Sequence, residues 1–232
     1  MTQAAASAGK VVVYTPKDPA GLTRVLVALL YIDVAVTVLN AAGDAVYLAN
    51  LGRYDPATAS SYGVALPGEN AAVDLTLASI DVAQVVTFLV CGFFCLKWIY
   101  RASRNAHALA EGLRTSPGWS VGWFFVPIAN LWKPFQGLRE AWQVSADPKA
   151  WQAQPTPELF RWWWGLWLAS GILGNVAARM QIGATSVGGE MAAGALNLAN
   201  DVIGIPLDLV FLVIVRRLCA LQVSALSQRA FD

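Results

Sequence analysis

Four long runs of apolar residues, separated by polar connections, divide the chain. They cover residues 23–48, 72–98, 160–180 and 194–217, and each has the length of about 20 mostly apolar residues that a membrane-spanning helix needs. A fifth apolar run begins after residue 117 and turns polar before it reaches that length. The pattern therefore predicts an all-α membrane protein with four transmembrane helices and a shorter apolar segment between the second and the third.

The composition indicates that lipid is the main solvent of this chain. It is 56% hydrophobic and only 13% charged, whereas a soluble domain carries about 25% charged residues. We predict one transmembrane domain, residues 23–232, after a cytoplasmic tail of residues 1–22. The tail has no apolar core followed by a small-residue cleavage site, so we expect no cleaved signal peptide. The net charge of +1 does not indicate a nucleic-acid partner, and we expect none.

The positions of the 16 Lys and Arg residues decide the number of crossings, because these residues concentrate in cytoplasmic loops. With four spans and a cytoplasmic N-terminus, only Arg53 and Arg179 lie outside. If residues 116–142 crossed as a fifth span, the basic residues would divide evenly between the two sides. We therefore predict a multi-pass protein of the cell membrane with both termini in the cytoplasm.

Residues 116–145 are then predicted to form a helical hairpin that begins and ends on the cytoplasmic side. Its short apolar piece ends at Pro127, and Pro134 suits the first turn of a new helix. Phe135, Leu138 and Trp142 would share one face of that helix, which is typical of an amphipathic helix at a membrane interface. Two arrangements stay open, because backbone at membrane depth must be covered by protein or water. The hairpin either re-enters between the spans or lies flat under them.

The hairpin and the helix before it carry a combination of Trp, Pro, Asn and charged residues that is found in a known family. It comprises Trp98, Tyr100, Arg101, Asn105, Pro117, Gly118, Trp119, Gly122, Trp123, Pro127, Asn130, Leu131, Trp132, Pro134 and Glu140. In these residues the chain resembles the bacterial membrane family catalogued as domain of unknown function 4328, from about residue 85 through the Trp-rich span. The resemblance implies an integral membrane protein and no particular biochemical activity.

Acidic and amide side chains within the spans are the main candidates for function, because charge at the bilayer centre is costly and usually functional. On each of three spans they recur about seven residues apart, which places them on one helical face. The first span has Asp33, Asn40 and Asp44, the second Asp74 and Asp81 with Gln84 one turn further on, and the fourth Asn197, Asp201 and Asp208. We predict that Asp33, Asn40, Asp81, Asp201 and Asp208 bind a cation or another small ligand.

Two interpretations of these acids stay open. They could line an outward-facing hydrated cavity that takes protons, a cation or a small polar ligand, as in a small transporter, channel or ligand-binding protein. Alternatively they are protonated and fix the packing through hydrogen bonds across helices. The alternative function is a non-catalytic scaffold or oligomeric subunit whose Trp-rich hairpin docks lipid or a partner protein. A homo-oligomer is compatible with either interpretation.

The hairpin is expected to contact lipid or a partner through a mixed set of aromatic and charged residues. They are Arg101, Arg104, Trp119, Trp123, Asn130, Trp132 and Glu140. We further expect Glu140 to pair with Arg101 or Arg104. No nucleophile lies beside a base, and the only histidine, His107, has no obvious partner. The three cysteines have neither disulfide nor zinc spacing. The sequence therefore predicts no enzyme and no cofactor, and it does not assign a metal.

Overall fold

All regular elements of the described residues are helical. A computed structural model describes residues 14–57 and 71–229, so the first 13 residues of the predicted tail lie outside it. The helices are α1 (Ala20–Leu51), α2 (Ala71–Leu109), α3 (Pro117–Gly122), α4 (Lys133–Ala146), α5 (Glu158–Gly183) and α6 (Val187–Arg229). Single 3₁₀ turns occupy Trp123–Phe125, Ala129–Leu131 and Trp151–Ala153.

The four predicted spans each fall within one long helix, but two of these helices continue well past the predicted ends. Helix α2 extends to Leu109, and α6 extends from Val187 to Arg229. The additional turns of α2 bury a broad face that includes Ile99, Ala102 and Ala106 together with the polar residues Ser103 and Asn105. A helix with one buried face needs no continuous apolar run, so hydropathy alone does not reveal these turns.

In the part of the chain that the structure describes, three helices are long and apolar enough to cross a membrane: α1, residues Leu75–Leu109 of α2, and α6. Helix α5, which contains the third predicted span, is not among them. Its 26 residues would extend about 39 Å at 1.5 Å per residue, so length is not the cause. Its four tryptophans lower the mean hydropathy, because an indole ring has a polar N–H as well as an apolar body.

The apolar core lies where the start of α1, the end of α2, the start of α5 and the last part of α6 meet. We call this the basic end, because Arg24, Lys97, Arg104 and Arg216 lie on the same stretches. Trp98 is 1% exposed and packs edge-on against Phe211, while its indole N–H donates to Thr23 Oγ1 at 3.0 Å. Trp163 stacks on Phe211 at 5.3 Å between ring centroids. Aromatic packing therefore joins α2, α5 and α6 at this end, and the hydrogen bond of Trp98 adds α1.

Polar side chains join the helices in the other half of the bundle. Helix α6 packs against both α1 and α5, and α1 packs against both α2 and α6. At the opposite end, the N–H of Gly188 donates to the carbonyl of Pro56 at 3.0 Å. A Cβ at position 188 would lie 3.2 Å from that carbonyl oxygen. The close approach therefore favours glycine at the start of α6.

The segment predicted to be a hairpin folds as α3, two 3₁₀ turns and α4. Ser116 begins α3 by accepting a hydrogen bond from the Trp119 N–H at 3.4 Å, and Pro134 lies in the first turn of α4, as expected from the sequence. Helix α4 buries Leu138, Ala141 and Val144. The hairpin packs against α2 at the basic end.

Candidate functional site

A row of polar side chains follows one face of α1 and meets polar residues of α2 and α6. We call this row and its partners the polar seam. On α1 it consists of Asp33, Thr37, Asn40, Asp44 and Tyr47, spaced three or four residues apart. This spacing keeps all five on one side of the helix over about 21 Å at 1.5 Å per residue. The seam begins next to the apolar core and runs to the opposite end of the bundle.

The middle of the polar seam brings predicted residues of all three helices together. The side-chain amide of Asn40 donates to Asp201 Oδ2 at 2.9 Å. Asp44 and Asp81 both lie close enough to Asp201 to interact with it electrostatically. Asp81 is exposed at the edge of the polar seam, whereas only 8% of the Asp201 surface is exposed. Asn40, Asp81 and Asp201 are therefore neighbours, and their role in binding stays a prediction.

The end of the polar seam nearest the core is a carboxyl pair. Asp33 of α1 and Asp208 of α6 lie within hydrogen-bonding reach of each other. Only 8% of Asp33 is exposed, and Leu30, one turn before it, is 1% exposed. Two carboxyl groups in contact cannot both be ionised unless a cation neutralises them, because their like charges repel at this distance. The pair therefore needs a proton or a cation.

Three buried carboxyl oxygens of the polar seam have no hydrogen-bond partner among the described residues. They are Asp33 Oδ1, Asp44 Oδ2 and Glu190 Oε1. No lysine or arginine occurs in residues 25–52, 71–96 or 180–215, so no basic side chain on these stretches can neutralise them. Unsatisfied buried polar atoms are rare in native proteins and are usually paired by water, an ion or a proton. The arrangement is therefore suited to taking up positive charge.

The polar seam does not have the ligand set of a typical metal site. In residues 14–57 and 71–229, no group of three or more His, Cys, Asp or Glu side chains could hold a metal ion. Pro206 lies within α6 without ending the helix. It cannot donate to the carbonyl of Val202, which leaves one extra acceptor about one turn from both Asp201 and Asp208.

Glu190, together with its partner Tyr47, is the functional candidate that the sequence analysis missed. The Tyr47 hydroxyl donates to Glu190 Oε2 at 2.9 Å at the opposite end of the seam. Glu190 lies eleven residues before Asp201, the spacing that also separates Asp33 from Asp44. This signal was present in the sequence. Hydropathy does not assign Glu190 to the fourth span, because the apolar run begins at residue 194. Helix α6 begins earlier, at Val187, and therefore includes Glu190.

Glu140 has a partner other than the one expected for it. Its carboxylate is 5% exposed and accepts a hydrogen bond from the N–H of Thr115 at 3.2 Å. Arg101 instead donates to the carbonyl of Asp18 at 3.2 Å, and the Nε of Arg104 has no hydrogen-bond partner among the described residues. Glu140 therefore fixes the start of the hairpin to α4 through backbone rather than through an arginine.

The aromatic residues of the hairpin form a partly exposed group. Trp119 stacks on Trp123 with 4.3 Å between ring centroids, and the Lys133 ammonium lies 5.7 Å from the Trp123 ring centroid. Trp132 is exposed. Asn130 donates its backbone N–H to Val126, while its side-chain oxygen is buried without a partner among the described residues. Contact of these residues with lipid or a partner stays a prediction.

One comparison with known proteins gives a match. The profile of a domain of unknown function, DUF4328, matches residues 65–220, about two thirds of the chain. The chain belongs to this family. The DUF4328 match includes Asp81, Asp201 and Asp208 but not α1, which supplies Asp33 and Asn40. No curated protein and no solved structure matches the chain.

Proposed function

We propose that this DUF4328 protein is a four-span protein of the cell membrane that binds protons or a small monovalent cation in the polar seam. The carboxyl pair of Asp33 and Asp208 is the proposed binding site. Asn40, Asp81 and Asp201 are proposed to line the way to it from the opposite end. The protein would act as a small transporter, channel or ligand-binding protein. The observation that carries the proposal is the carboxyl pair of buried Asp33 and partly buried Asp208, in which Asp33 Oδ1 has no hydrogen-bond partner among the described residues.

Helix α5 is the proposed fourth span. It packs along α6 and exposes large apolar side chains, among them Trp162 and Ile172, at 67% and 63%. Such surface is unfavourable in water and suits lipid or another apolar partner. A crossing by α5 leads from the basic end to the opposite end, and α6 then returns the chain to the basic end, where most lysines and arginines lie. That distribution supports a cytoplasmic basic end and two cytoplasmic termini.

The hairpin is proposed to insert its connecting segment into the lipid at the same face. Phe125 and Ile128 are both 71% exposed, and Trp132 is 44% exposed. Tryptophan is enriched at membrane–water interfaces, where its ring is partly in lipid and its N–H in water. This arrangement is compatible with both the re-entrant and the flat hairpin.

Cysteine labelling tests this topology in a variant without the three native cysteines. We expect Ala153→Cys, after α4, to react with a membrane-impermeant maleimide only from the basic-end side. Ala57→Cys should react only from the other side. Ile128→Cys should react from neither side in membranes and fully in denaturing detergent, because lipid would cover it. Labelling of positions 57 and 153 from one side contradicts the four-span arrangement, and rapid labelling of position 128 contradicts insertion of the hairpin.

Several features favour cation or proton binding over packing alone. If the acids only fixed the packing, their oxygens would be expected to bond to Ser, Thr or Asn of neighbouring helices. Asp201 has such a partner in Asn40, whereas oxygens of Asp33, Asp44 and Glu190 have none among the described residues. A buried unpaired charge is also costly. Positive charge from solution would remove that cost at several points of the seam.

The decisive measurement compares ligand-dependent stability and ion flux in three variants. Wild-type protein in nanodiscs should gain thermal stability with one of Na⁺, K⁺ or H⁺ between pH 5 and 8, and reconstituted vesicles should show flux of the same ion if it is transported. A ligand at 100 times its dissociation constant stabilises by about 2.7 kcal/mol. That corresponds to a shift of roughly 5 to 10 °C for a chain of this length.

We expect Asp208→Asn and Asp33→Asn to remove this shift and any flux while leaving the protein folded, because an amide keeps the shape of the carboxyl but cannot hold the added charge. The matched control is Glu158→Gln, which removes one exposed carboxylate at the start of α5 and should behave like the wild type. A shift that persists in both aspartate variants, or the lack of any shift in the wild type, would refute cation or proton binding at the pair.

The exposed hairpin favours one alternative function, that of a non-catalytic scaffold or oligomeric subunit. Its apolar side chains could contact a partner protein instead of lipid, and the apolar surface of α2, with Phe88 and Phe93 exposed at 65% and 62%, could contact a second copy. The two functions differ in their dependence on the acids. A scaffold tolerates Asp208→Asn in an assembly assay such as cross-linking, whereas a cation-binding protein loses its activity.

A further inference from the structure

A pocket separate from the polar seam opens beside the hairpin. Its volume is about 380 Å³, which is within the range of small-molecule sites. It is lined by Gly112, Arg114, Arg139, Glu140, Gln143, Trp151 and Gln152. Some of these residues lie in the connection after α2, and the others lie on α4 or in the connection after α4. The pocket therefore lies past the basic end of the bundle. Nothing in the proposed cation site uses them.

The walls of the pocket carry two guanidinium groups. Arg139 projects from α4, and its Nε is buried without a hydrogen-bond partner among the described residues. Arg114, in the connection after α2, is exposed. Guanidinium groups offer planar sets of donors that match the oxygens of a phosphate or carboxylate. A buried donor without a partner favours a ligand that brings acceptor atoms.

The remaining walls supply a fixed frame and an aromatic surface. Glu140 is held by the N–H of Thr115 at 3.2 Å, and Gln143 donates to the carbonyl of Gln154 at 2.6 Å. Gly112 has a φ of 80°, which a residue with a side chain rarely adopts. This turn brings the backbone after α2 to the edge of the pocket. Trp151 is half-buried and adds an apolar wall.

From these features we infer that the pocket binds the phosphate or carboxylate group of a small anion through Arg114 and Arg139. The two arginines and Glu140 give the lining a net charge of +1, which favours an anion over a cation. The Glu140 carboxylate acts as a positioning group, because it holds the connection that carries Arg114. Trp151 would cover an uncharged part of the ligand.

The same chemistry is available from two sources, a soluble phosphate compound and the headgroup of an anionic lipid. Three probes separate them on the full-length protein: inorganic phosphate, glycerol 3-phosphate, and nanodiscs of phosphatidylglycerol instead of phosphatidylcholine. Each is applied to the wild type and to Arg139→Gln, Arg114→Gln and Lys149→Gln. Lys149 is exposed and lies outside the pocket, so its variant loses the same charge without losing the site.

We expect at least one probe to stabilise the wild type saturably, and its dissociation constant to rise about tenfold or more in both arginine variants, as for a lost charge-assisted hydrogen bond. Lys149→Gln should remain within about twofold of the wild type. Stabilisation by the soluble phosphates in phosphatidylcholine identifies a soluble ligand. Stabilisation by phosphatidylglycerol alone identifies a headgroup.

Equal effects of all three substitutions would show general screening of charge and overturn the site, as would the lack of stabilisation by any probe. Arg114→Gln should fold normally, because that side chain is exposed. Its effect on binding is therefore separate from any effect on folding. If Arg139→Gln alone fails to fold, the comparison of Arg114→Gln with Lys149→Gln still decides the outcome.

Discussion

Asn105→Ala should lower the apparent melting temperature of the purified protein by roughly 5 to 15 °C. Asn105 is fully buried, and its amide donates to Gln222 Oε1 at 3.1 Å and to the carbonyl of Lys17 at 2.9 Å. Its Oδ1 accepts from the Lys17 N–H at 3.0 Å. These bonds connect α2 with α6 and with the segment before α1. Alanine leaves buried polar atoms without partners, which costs about 2 to 4 kcal/mol in all. For a chain of this length, each kcal/mol lowers the melting temperature by about 2–4 °C.

Asn175→Ala is the matched control, because Asn175 is exposed and bonds only within its own helix, to the carbonyl of Gly171. It should change the melting temperature by little more than the error. The double variant Asn105→Ala/Gln222→Ala should lose less than the sum of the single variants, since Gln222 Oε1 is then no longer left unpaired. Equal melting temperatures for Asn105→Ala and Asn175→Ala would mean that the network does not stabilise the bundle.

Phe160→Ala should destabilise the protein by about 3 to 5 kcal/mol, because removing a large buried aromatic leaves a cavity. Phe160 is fully buried at the start of α5. Its ring lies 5.2 Å from that of Trp142 and 6.5 Å from that of Phe135, both on α4, and 6.4 Å from that of Trp163. It therefore connects α4 of the hairpin to the start of α5. Melting temperature measures the global loss, and trypsin cleavage at Lys149 reports whether α4 detaches.

Trp162→Ala removes an even larger ring two residues later on the same helix, but that ring is 67% exposed. It should leave both the melting temperature in detergent and the rate of cleavage nearly unchanged. If the two variants lost the same stability, the aromatic contacts between α4 and α5 would not be what holds the hairpin in place.

The polar face of α1 could be predicted because helical periodicity is a local property. Residues seven and eleven positions apart must lie on one side of a helix, so Asp33, Asn40 and Asp44 were expected to line up. The same rule predicted that Asp201 and Asp208 share a face of α6. Spacing does not reveal which helices meet, however. The contact of Asp33 with Asp208 joins residues 175 positions apart.

Hydrogen-bond partners that lie on different elements could not be predicted either, because spacing along the chain does not show which elements meet. Glu140 had several candidate partners earlier in the chain, and charge alone favoured an arginine. The structure instead gives it a backbone N–H, because Thr115 immediately precedes the cap of α3 at Ser116. Likewise, nothing local marks Asn105 and Gln222 as partners. Such pairs depend on how helices approach one another, which is decided by packing over the whole fold.

The concentration of aromatic packing at the basic end has a mechanical consequence. Water can replace the hydrogen bond of Tyr47 with Glu190 at little cost, but it cannot replace the contacts of Trp98, Trp163 and Phe211. Parting α6 from its neighbours therefore requires less work beside Glu190, which bonds to α1, than beside Phe211, which packs against α2 and α5. The basic end would act as the fixed pivot of any opening, and solvent would reach Asp33 from one side only.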